Sequence, residues 1–288
     1  METIPHNHKI SIIVVTCDSL PALDNSLGSL AASCSGICSE LIVVDNHSSD
    51  DSVACVRKHF PEATVIELKA NIGFAAACNQ AAWIASGEYL LFHNPDLQLD
   101  AGAIEHMVKA CESREGFGAG AGRLRFPDGS FQATCRRFPT MSNIVFSRGS
   151  VISKVLRDKG RYTLDEYTGI SEVPAVAGTF MIIRRELFLA INGFDERYFM
   201  YMEDTDLCLR LNRAGYMNYF IPAAGGVHLW GQGSRGGQLR RNWYHHVSLW
   251  KYFLKHFPNA FSLLIMPFVL SVHLLLVSII GRSVRDRQ

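Results

Sequence analysis

Two groups of residues in this 288-residue chain have the types and spacing for chemistry. The first is N-P-D at Asn94 to Asp96, an amide and a carboxylate closing the apolar run EYLLFH. A hard cation such as Mg2+ or Mn2+ prefers oxygen ligands and keeps positions open for water and phosphate. Held through Asp96, it would bridge two phosphates and stabilise a departing diphosphate. The second is E-D-T-D, with Glu203, Asp204 and Asp206 opening a helix-like segment that closes on Arg210, Arg213 and Gly215. A carboxylate there can act as a general base toward a hydroxyl, although acids also complement the positive end of a helix. N-P-D by itself is equally a turn.

Residues of this kind need a frame. The first half supplies one, because short β-branched runs alternate with helical patterns, the pattern of a parallel sheet flanked by helices. The strands are expected at Ser11 to Thr16, Glu40 to Asp45, Ala63 to Leu68 and Glu88 to His93. Helices are expected near Leu20 to Ser33, Asp50 to Phe60 and Phe74 to Ser86, with Ser48 or Ser49 as N-cap of the second. In such a sheet ligands bind beyond the carboxyl ends of the strands. Polar residues stand in series there: Thr16 and Asp18, then Asp45, Asn46, His47 and Ser48, then Asn71, Gly73 and Phe74, then Asn94 and Asp96. Asp45 could accept a hydrogen bond from the imide N–H of uracil or thymine, with capping as the competing use.

Beyond Gly118 the rhythm changes. GAGAGRL reads as a glycine-rich strand closely approached by other backbone rather than a phosphate loop, since no helix follows it. PDGS is a turn, QATCRRF a hairpin or bent strand pair, Pro139 to Val173 a long loop suited to acceptor recognition, and VAGTFMIIRR a strand.

Composition narrows the classes. With 48% hydrophobic and 19% charged residues the chain fits one large α/β core. A net charge of +1 without a dense basic block argues against nucleic acid as a partner. Eight scattered cysteines read as small buried thiols in a reducing compartment, and METIPHNHK lacks the layout of a secretory signal, which points to the cytoplasm. Gln238 to Phe257 is basic and aromatic, like helices that lie at lipid headgroups, and Ala260 to Ile280 carries no charge. A helix of that length reaches roughly 30 Å, about one bilayer core. Pro267 interrupts it, and Arg282, Arg285 and Arg287 would fall on the wrong side for a simple span. A re-entrant or interfacial helical hairpin is therefore expected. The organisation expected is a catalytic domain over residues 1–237, split near 116 into donor and acceptor halves, and a membrane-associating tail over 238–288.

Taken in order, SIIVVTCDS, VVDNHSSDDS, NIGFAAACNQA, HNPD, VAGTFMIIRRELFLAINGFDERYFMYMEDTDLCLRL and HLWGQGS form a specific set. From about Ser11 to Pro258 the chain resembles family 2 glycosyltransferases with the GT-A fold, in the rhamnosyltransferase-like branch that builds bacterial surface polysaccharides. The resemblance implies that Asp45 binds the base, and that Asn71, Gly73, Phe74 and Asn79 lie beside the donor, with Thr16, Asp18, Asn46, Ser48 and Asn94 around it. It implies that Asp96 and His228 hold Mg2+ or Mn2+, Asn94 replacing the first aspartate of a D-x-D motif. Asp204 would be the general base, with Glu203 as runner-up, and Glu203, Gly178 and Thr179 would face the acceptor. The implied reaction is an inverting transfer from a nucleotide-diphosphate sugar, dTDP-rhamnose leading, to a lipid-linked or polysaccharide acceptor. Its setting would be the cytoplasmic side of the inner membrane, the protein being peripheral or monotopic. A sugar nucleotidyltransferase and a non-catalytic nucleotide- or glycan-binding module remain the alternatives.

Overall fold

A computed structural model describes residues 8–34, 36–37, 39–140, 163–229, 237–272 and 274–275. Strands β1 (His8–Thr16), β2 (Ser39–Asp45), β3 (Thr64–Glu67) and β4 (Gly87–His93) pair in parallel in the order β3-β2-β1-β4. Their apolar runs are unbroken because helices cover both faces, and Ile10, Ile12, Val14, Val43 and Leu91 are all fully buried. The register sets Thr16 beside Asp45 and Asp45 beside Glu67, so the polar strand ends finish level. Helices α1 (Leu20–Ser33), α2 (Ser52–His59) and α3 (Phe74–Ile84) provide the crossovers. Buried Ala75, Ala77, Ala81 and Ala82 let α3 lie close on the sheet.

The expected N-cap of α2 is wrong. Asp51 holds that position, while Ser48 and Ser49 belong to a turn that begins at His47, whose φ of 67° is left-handed. Both serines bond Asp18 instead.

The second half adds β5 (Leu97–Leu99), α4 (Ala103–Glu112), β6 (Phe117–Arg125), β7 (Phe131–Gln132), β8 (Cys135–Arg136), β9 (Ser171–Val173), β10 (Ala175–Val176), β11 (Phe180–Arg184), α5 (Arg185–Ala190), α6 (Glu203–Arg213) and β12 (Met217–His228). The main sheet continues β4-β11-β6-β12-β5, with β11 antiparallel to both neighbours and β12 parallel to β6. The sheet is thus mixed, parallel through the first half and reversed at β11. The hairpin reading of QATCRRF resolves into β7, which pairs with β6, and β8, which leaves to pair with β10. The glycine-rich run is strand β6, as expected, and a side chain at Gly122 would overlap the carbonyl of Ala224 on β12. Helix α6 ends in a Schellman motif: Gly215 has φ 89°, and the N–H of Tyr216 reaches the carbonyl of Leu211 at 3.0 Å.

One apolar cluster lies under α1, α2 and α4, another between the opposite face and α3, α5 and α6. In the second, Phe194 packs its ring 5.0 Å from Phe92, 5.2 Å from Phe188 and 6.0 Å from Phe74. Phe194→Ala should cost about 3–5 kcal/mol by vacating this site, measured as a lower urea midpoint with an unchanged slope.

Helix α7 (Gln238–His256) is a packed arm. Its Leu249, Tyr252 and Phe253 are buried with Tyr198, Met202 and Leu209, and Met266 and Leu270 close the same cluster. A π-type turn at Phe261–Ile265 leads into helix through residue 272. Among the described residues no helix is long and apolar enough to cross a membrane. Leu263, Leu264, Ile265 and Phe268 are exposed nonetheless. Residues 141–162 of the expected acceptor loop, the G-Q-G-S run and Arg282, Arg285 and Arg287 lie outside the described residues.

Candidate functional site

At the ends of β1 and β2 the side chains tie two turns together. Asp45 is buried and accepts from the Thr16 hydroxyl at 3.0 Å and from the Ser48 N–H at 3.0 Å. Capping is therefore an observed use of Asp45, and a carboxylate retains further lone pairs for another donor. Asp18, at φ 52°, accepts from the N–H and hydroxyl of Ser49 and donates its own N–H to Ser48. Asn46 holds the next turn, accepting from the Ile72 N–H at 2.8 Å and donating to the Gly73 carbonyl at 3.2 Å. Asn71 accepts from the Gly73 N–H and donates to the Cys17 sulfur. Gly73, at φ 89°, is required for close approach: a Cβ there would sit 2.5 Å from the carbonyl oxygen of Phe199. That same carbonyl accepts from the Phe74 N–H at 2.9 Å. Asn79 points elsewhere, its amide spent on the backbone of Phe194 and on Glu196.

The antiparallel pairing of β5 with β12 sets His228 opposite Leu97, which brings it to Asp96. His228 Nε2 lies 3.0 Å from Asp96 Oδ1 and 3.5 Å from the Asn94 amide nitrogen, while Nδ1 lies 2.8 Å from Gln132 Oε1. Nδ1 is thus bonded to the Gln132 amide, and Nε2 is aimed at the carboxylate. A proton or a cation between the ring nitrogen and the carboxylate satisfies both. Asp96 and His228 are 3% and 7% exposed, too dry to leave that charge to solvent. An imidazole, a carboxylate and an adjacent amide suit Mn2+ as a donor set and accommodate Mg2+ through oxygen. Beneath this turn His93 has both ring nitrogens buried without a hydrogen-bond partner among the described residues, and burial pushes its pKa down to about 4.

Residues 178–179 join this corner to α6. The Asn94 N–H donates to the Thr179 carbonyl at 2.9 Å, and the Gly178 N–H donates to Asp204 Oδ2 at 3.0 Å. A Cβ at Gly178 would lie 3.6 Å from both the Phe74 ring and Asp204 Cβ, so the Phe74 turn and the acid meet there. Asp204 Oδ1 accepts from the N–H and hydroxyl of Thr205, and Oδ2 is ion-paired with Arg136 from β8.

Glu203 differs from its neighbour. Its Oε2 is buried without a hydrogen-bond partner among the described residues. Burial first, and repulsion by Asp204 second, push its pKa from the usual 4.5 up to about 8. The folded chain therefore holds Glu203 protonated where the unfolded chain ionises it. Its contribution to stability is whole below pH 4.5 and is lost as the pH climbs to about 8. Glu203→Gln should remove that loss, flattening the fall in Tm across this window with a gain on the order of a few kcal/mol at its upper end. Parallel pH–Tm profiles of wild type and variant check it.

Behind the acids, α7 grips the segment that carries them. Asp206 is fully buried and bonds Arg210 at 2.7 Å, Lys255 at 2.6 Å and His256 at 2.6 Å. Burial alone would raise its pKa, but these partners, His256 foremost, hold it below the usual value. Ser248 donates to the Met200 carbonyl, and the Tyr244 ring lies 4.6 Å from that of Phe199. Tyr201 and Met202 are held at φ 68° and 71° just before Glu203, where backbone strain is stored beside the acids.

The structure thus brings together Phe74, Gly178, Thr179, Asp204, Asn94, Asp96 and His228, places Thr16, Asp18, Asp45, Asn46, Ser48 and Asn71 in the adjoining turns, and leaves Asn79 bracing Phe194. Sequence reasoning missed Arg136, Gln132 and His93. Only the CRRF run hinted at the first.

Comparison with known proteins agrees with this architecture. A model described as Glycosyl transferase family 2 matches residues 11–191, and one described as the N-terminal domain of galactosyltransferase matches residues 160–228. The N-acetylglucosaminyl-diphospho-decaprenol L-rhamnosyltransferase of Mycobacterium tuberculosis is 28% identical over 239 residues, 76% of this chain and 75% of that protein. The rhamnosyltransferase WbbL of Escherichia coli is 34% identical over 145 residues, 50% of this chain and 53% of that protein. Among solved structures, the mannosyltransferase PcManGT of Pyrobaculum calidifontis, in complex with GDP-Man and Mn2+, aligns with TM-score 0.59 at 18% identity, covering 94% of this chain and 75% of its own. That likeness establishes a GT-A-like fold. Since the first match covers well over half of the sequence and spans the strand-end turns, Asn94, Asp96, Gly178 and Thr179, this chain is a glycosyltransferase belonging to glycosyl transferase family 2.

Proposed function

We propose that the enzyme performs an inverting, metal-dependent transfer of a sugar, rhamnose being the leading candidate, from a pyrimidine nucleotide diphosphate to a hydroxyl of a lipid-linked or polysaccharide acceptor. The observation that carries the reading is the junction at Gly178 and Thr179, where two adjacent residues bond Asp204 on one side and Asn94 of the N-P-D turn on the other. The rhamnosyltransferase names of the relatives and the decaprenol acceptor in one of them support the choice of sugar and of a lipid-linked acceptor.

In this reading Asp96 and His228, with Asn94 beside them, hold Mn2+ or Mg2+. The ion would supply positive charge to the diphosphate of the donor as negative charge develops on it. Gln132 fixes the His228 ring so that Nε2 faces the ion site. Asp45 offers a lone pair to the base, and Asn46 and Asn71 keep the Gly73–Phe74 turn against the donor. Asp204 accepts the proton of the acceptor hydroxyl as its oxygen attacks the anomeric carbon. The N–H groups of Gly178 and Thr205 orient that carboxylate, and Arg136 pairs with its Oδ2. Glu203, protonated, can donate a hydrogen bond to the acceptor. Exposed Leu263, Leu264, Ile265 and Phe268, and exposed Trp243 and Arg240 on α7, are the apolar and basic side chains that would meet the cytoplasmic side of the membrane.

Thermal stabilisation of the purified chain by UDP, dTDP, GDP and CDP, each with and without Mn2+, tests this. A pyrimidine diphosphate should raise Tm selectively and only with Mn2+. Stabilisation by no nucleotide would discard the reading, and release of pyrophosphate from a nucleoside triphosphate would replace it with nucleotidyl transfer.

A further inference from the structure

On the outer face of the first half, away from the Asp96 and Asp204 corner, α1 and α2 leave an open pocket of about 240 Å³ lined by Leu20, Asp24, Asp51, Ala54, Cys55 and Lys58. Cys55 and His59 stand one helical turn apart on α2, at the i, i+4 spacing that turns two side chains to the same side. Asp24 of α1 faces both: its Oδ1 is 2.9 Å from His59 Nε2 and 3.7 Å from Cys55 Sγ. The three ligand atoms all lie within 4.8 Å of one another, and among the described residues no other three His, Cys, Asp or Glu side chains are so arranged.

We propose that Asp24, Cys55 and His59 form a second cation site, for Zn2+, with water from the pocket in the fourth position. The donor set decides the metal. A thiolate and an imidazole favour a borderline-soft ion and disfavour Mg2+ or Ca2+, and Zn2+ accepts one sulfur, one nitrogen and one carboxylate oxygen in a tetrahedron. The three atoms come from two helices whose backbones are already fixed, so capture costs little reorganisation. Cys55 is buried at 7% exposure, its sulfur shielded from bulk oxidants, while the half-exposed Asp24 leaves a way in. Lys58 Nζ lies 3.7 Å from Asp24 Oδ1, but it is 74% exposed and free to swing into solvent when a cation arrives.

The site would act on the donor turns through the helices that lead from them. The Leu20 N–H opening α1 donates to Asp50, just before α2, and Asp18 is bonded to Ser48 and Ser49. An ion bridging α1 and α2 a turn below these contacts holds the two loops in register. This reading is independent of the one for Asp96 and Asp204.

Co2+ titration of the full chain is the test, because thiolate ligation gives a sulfur-to-metal charge-transfer band in the near ultraviolet that an oxygen and nitrogen site lacks. The band should appear at one equivalent, bleach on addition of Zn2+, persist in Asp96→Asn and vanish in Cys55→Ser. His59→Gln and Asp24→Asn, at side chains that both reach solvent, should weaken Zn2+ binding by more than about tenfold while leaving the circular dichroism spectrum unchanged. Lys58→Ala should tighten it. Absence of the band, or a band that survives Cys55→Ser, overturns the proposal, as does Zn2+ affinity unaltered in folded His59→Gln.

Discussion

Asp204→Asn should lower kcat by about 10²–10⁴-fold, the usual worth of a positioned general base, while leaving the dissociation constant of the nucleotide within about twofold. The substitution keeps shape and removes basicity. Its remaining side-chain oxygen can still accept from Gly178 or Thr205, so the junction at residues 178–179 survives. None of the strand-end residues Asp45, Asn46 or Asn71 bonds Asp204, which is why binding and turnover should separate. Arg136 loses its carboxylate partner, and Arg136→Gln in the same background controls for the charge left behind. Single-turnover kinetics at saturating donor, paired with calorimetry for the nucleotide, read both quantities. If Asp204→Asn turns over normally and Glu203→Gln does not, the base is Glu203. Its Oε2 already lacks a partner among the described residues, but as a protonated acid at neutral pH it starts without the ionised carboxylate that a base must offer.

Asp96→Asn should abolish the dependence of donor binding on Mn2+ and reduce kcat/KM by roughly 10²–10³-fold, the scale seen when one stabilising group is removed from a developing anion. Asn94 already supplies an amide where a second carboxylate could stand, so Asp96 is the sole anion in the donor set made with His228 and Asn94. With an amide at 96, the donor set has no anion left to attract a cation. A Mn2+ titration of donor-dependent stabilisation should shift to higher concentration or disappear, whereas His228→Ala should shift it less, since an imidazole contributes no charge. An unchanged titration in Asp96→Asn would remove the ion from that corner.

The first four strands and the helices between them were readable to within three residues at each end, and the reason is local. Strands buried on both faces need unbroken β-branched runs, and Asp, Asn and Gly punctuate their ends. The motif residues at the N-P-D and E-D-T-D sites also came from short stretches with fixed spacing. What escaped depends on pairings distant in sequence. Arg136 reaches Asp204 because β8 leaves the main sheet for β10, and Gln132 reaches His228 across 96 residues. No periodicity encodes either contact. The N-cap of α2 was misplaced because the left-handed His47 spends Ser48 and Ser49 on a turn against Asp18, a partner 31 residues from Ser49. Asn79 looked like its motif neighbours on paper. Its position inside α3 turns it to Phe194 instead. Aromatic and basic side chains along α7 are equally suited to lipid and to a protein surface, and Tyr252 and Phe253 settle part of that helix in favour of protein.

The carboxylate of Asp206 takes two of its partners, Lys255 and His256, from the last turn of α7. A shortened enzyme ending at residue 237 would leave that anion, beside Glu203 and Asp204, with Arg210 as its remaining counter-ion, and would bare Tyr198 and Met202 to water. Lost turnover in such a product would report a collapsed catalytic segment, whatever the lipid bilayer contributes. Biochemists seeking a detergent-free preparation should keep the arm and repaint Leu263, Leu264 and Phe268 with polar side chains, which alters the outer coat and leaves the buttress standing.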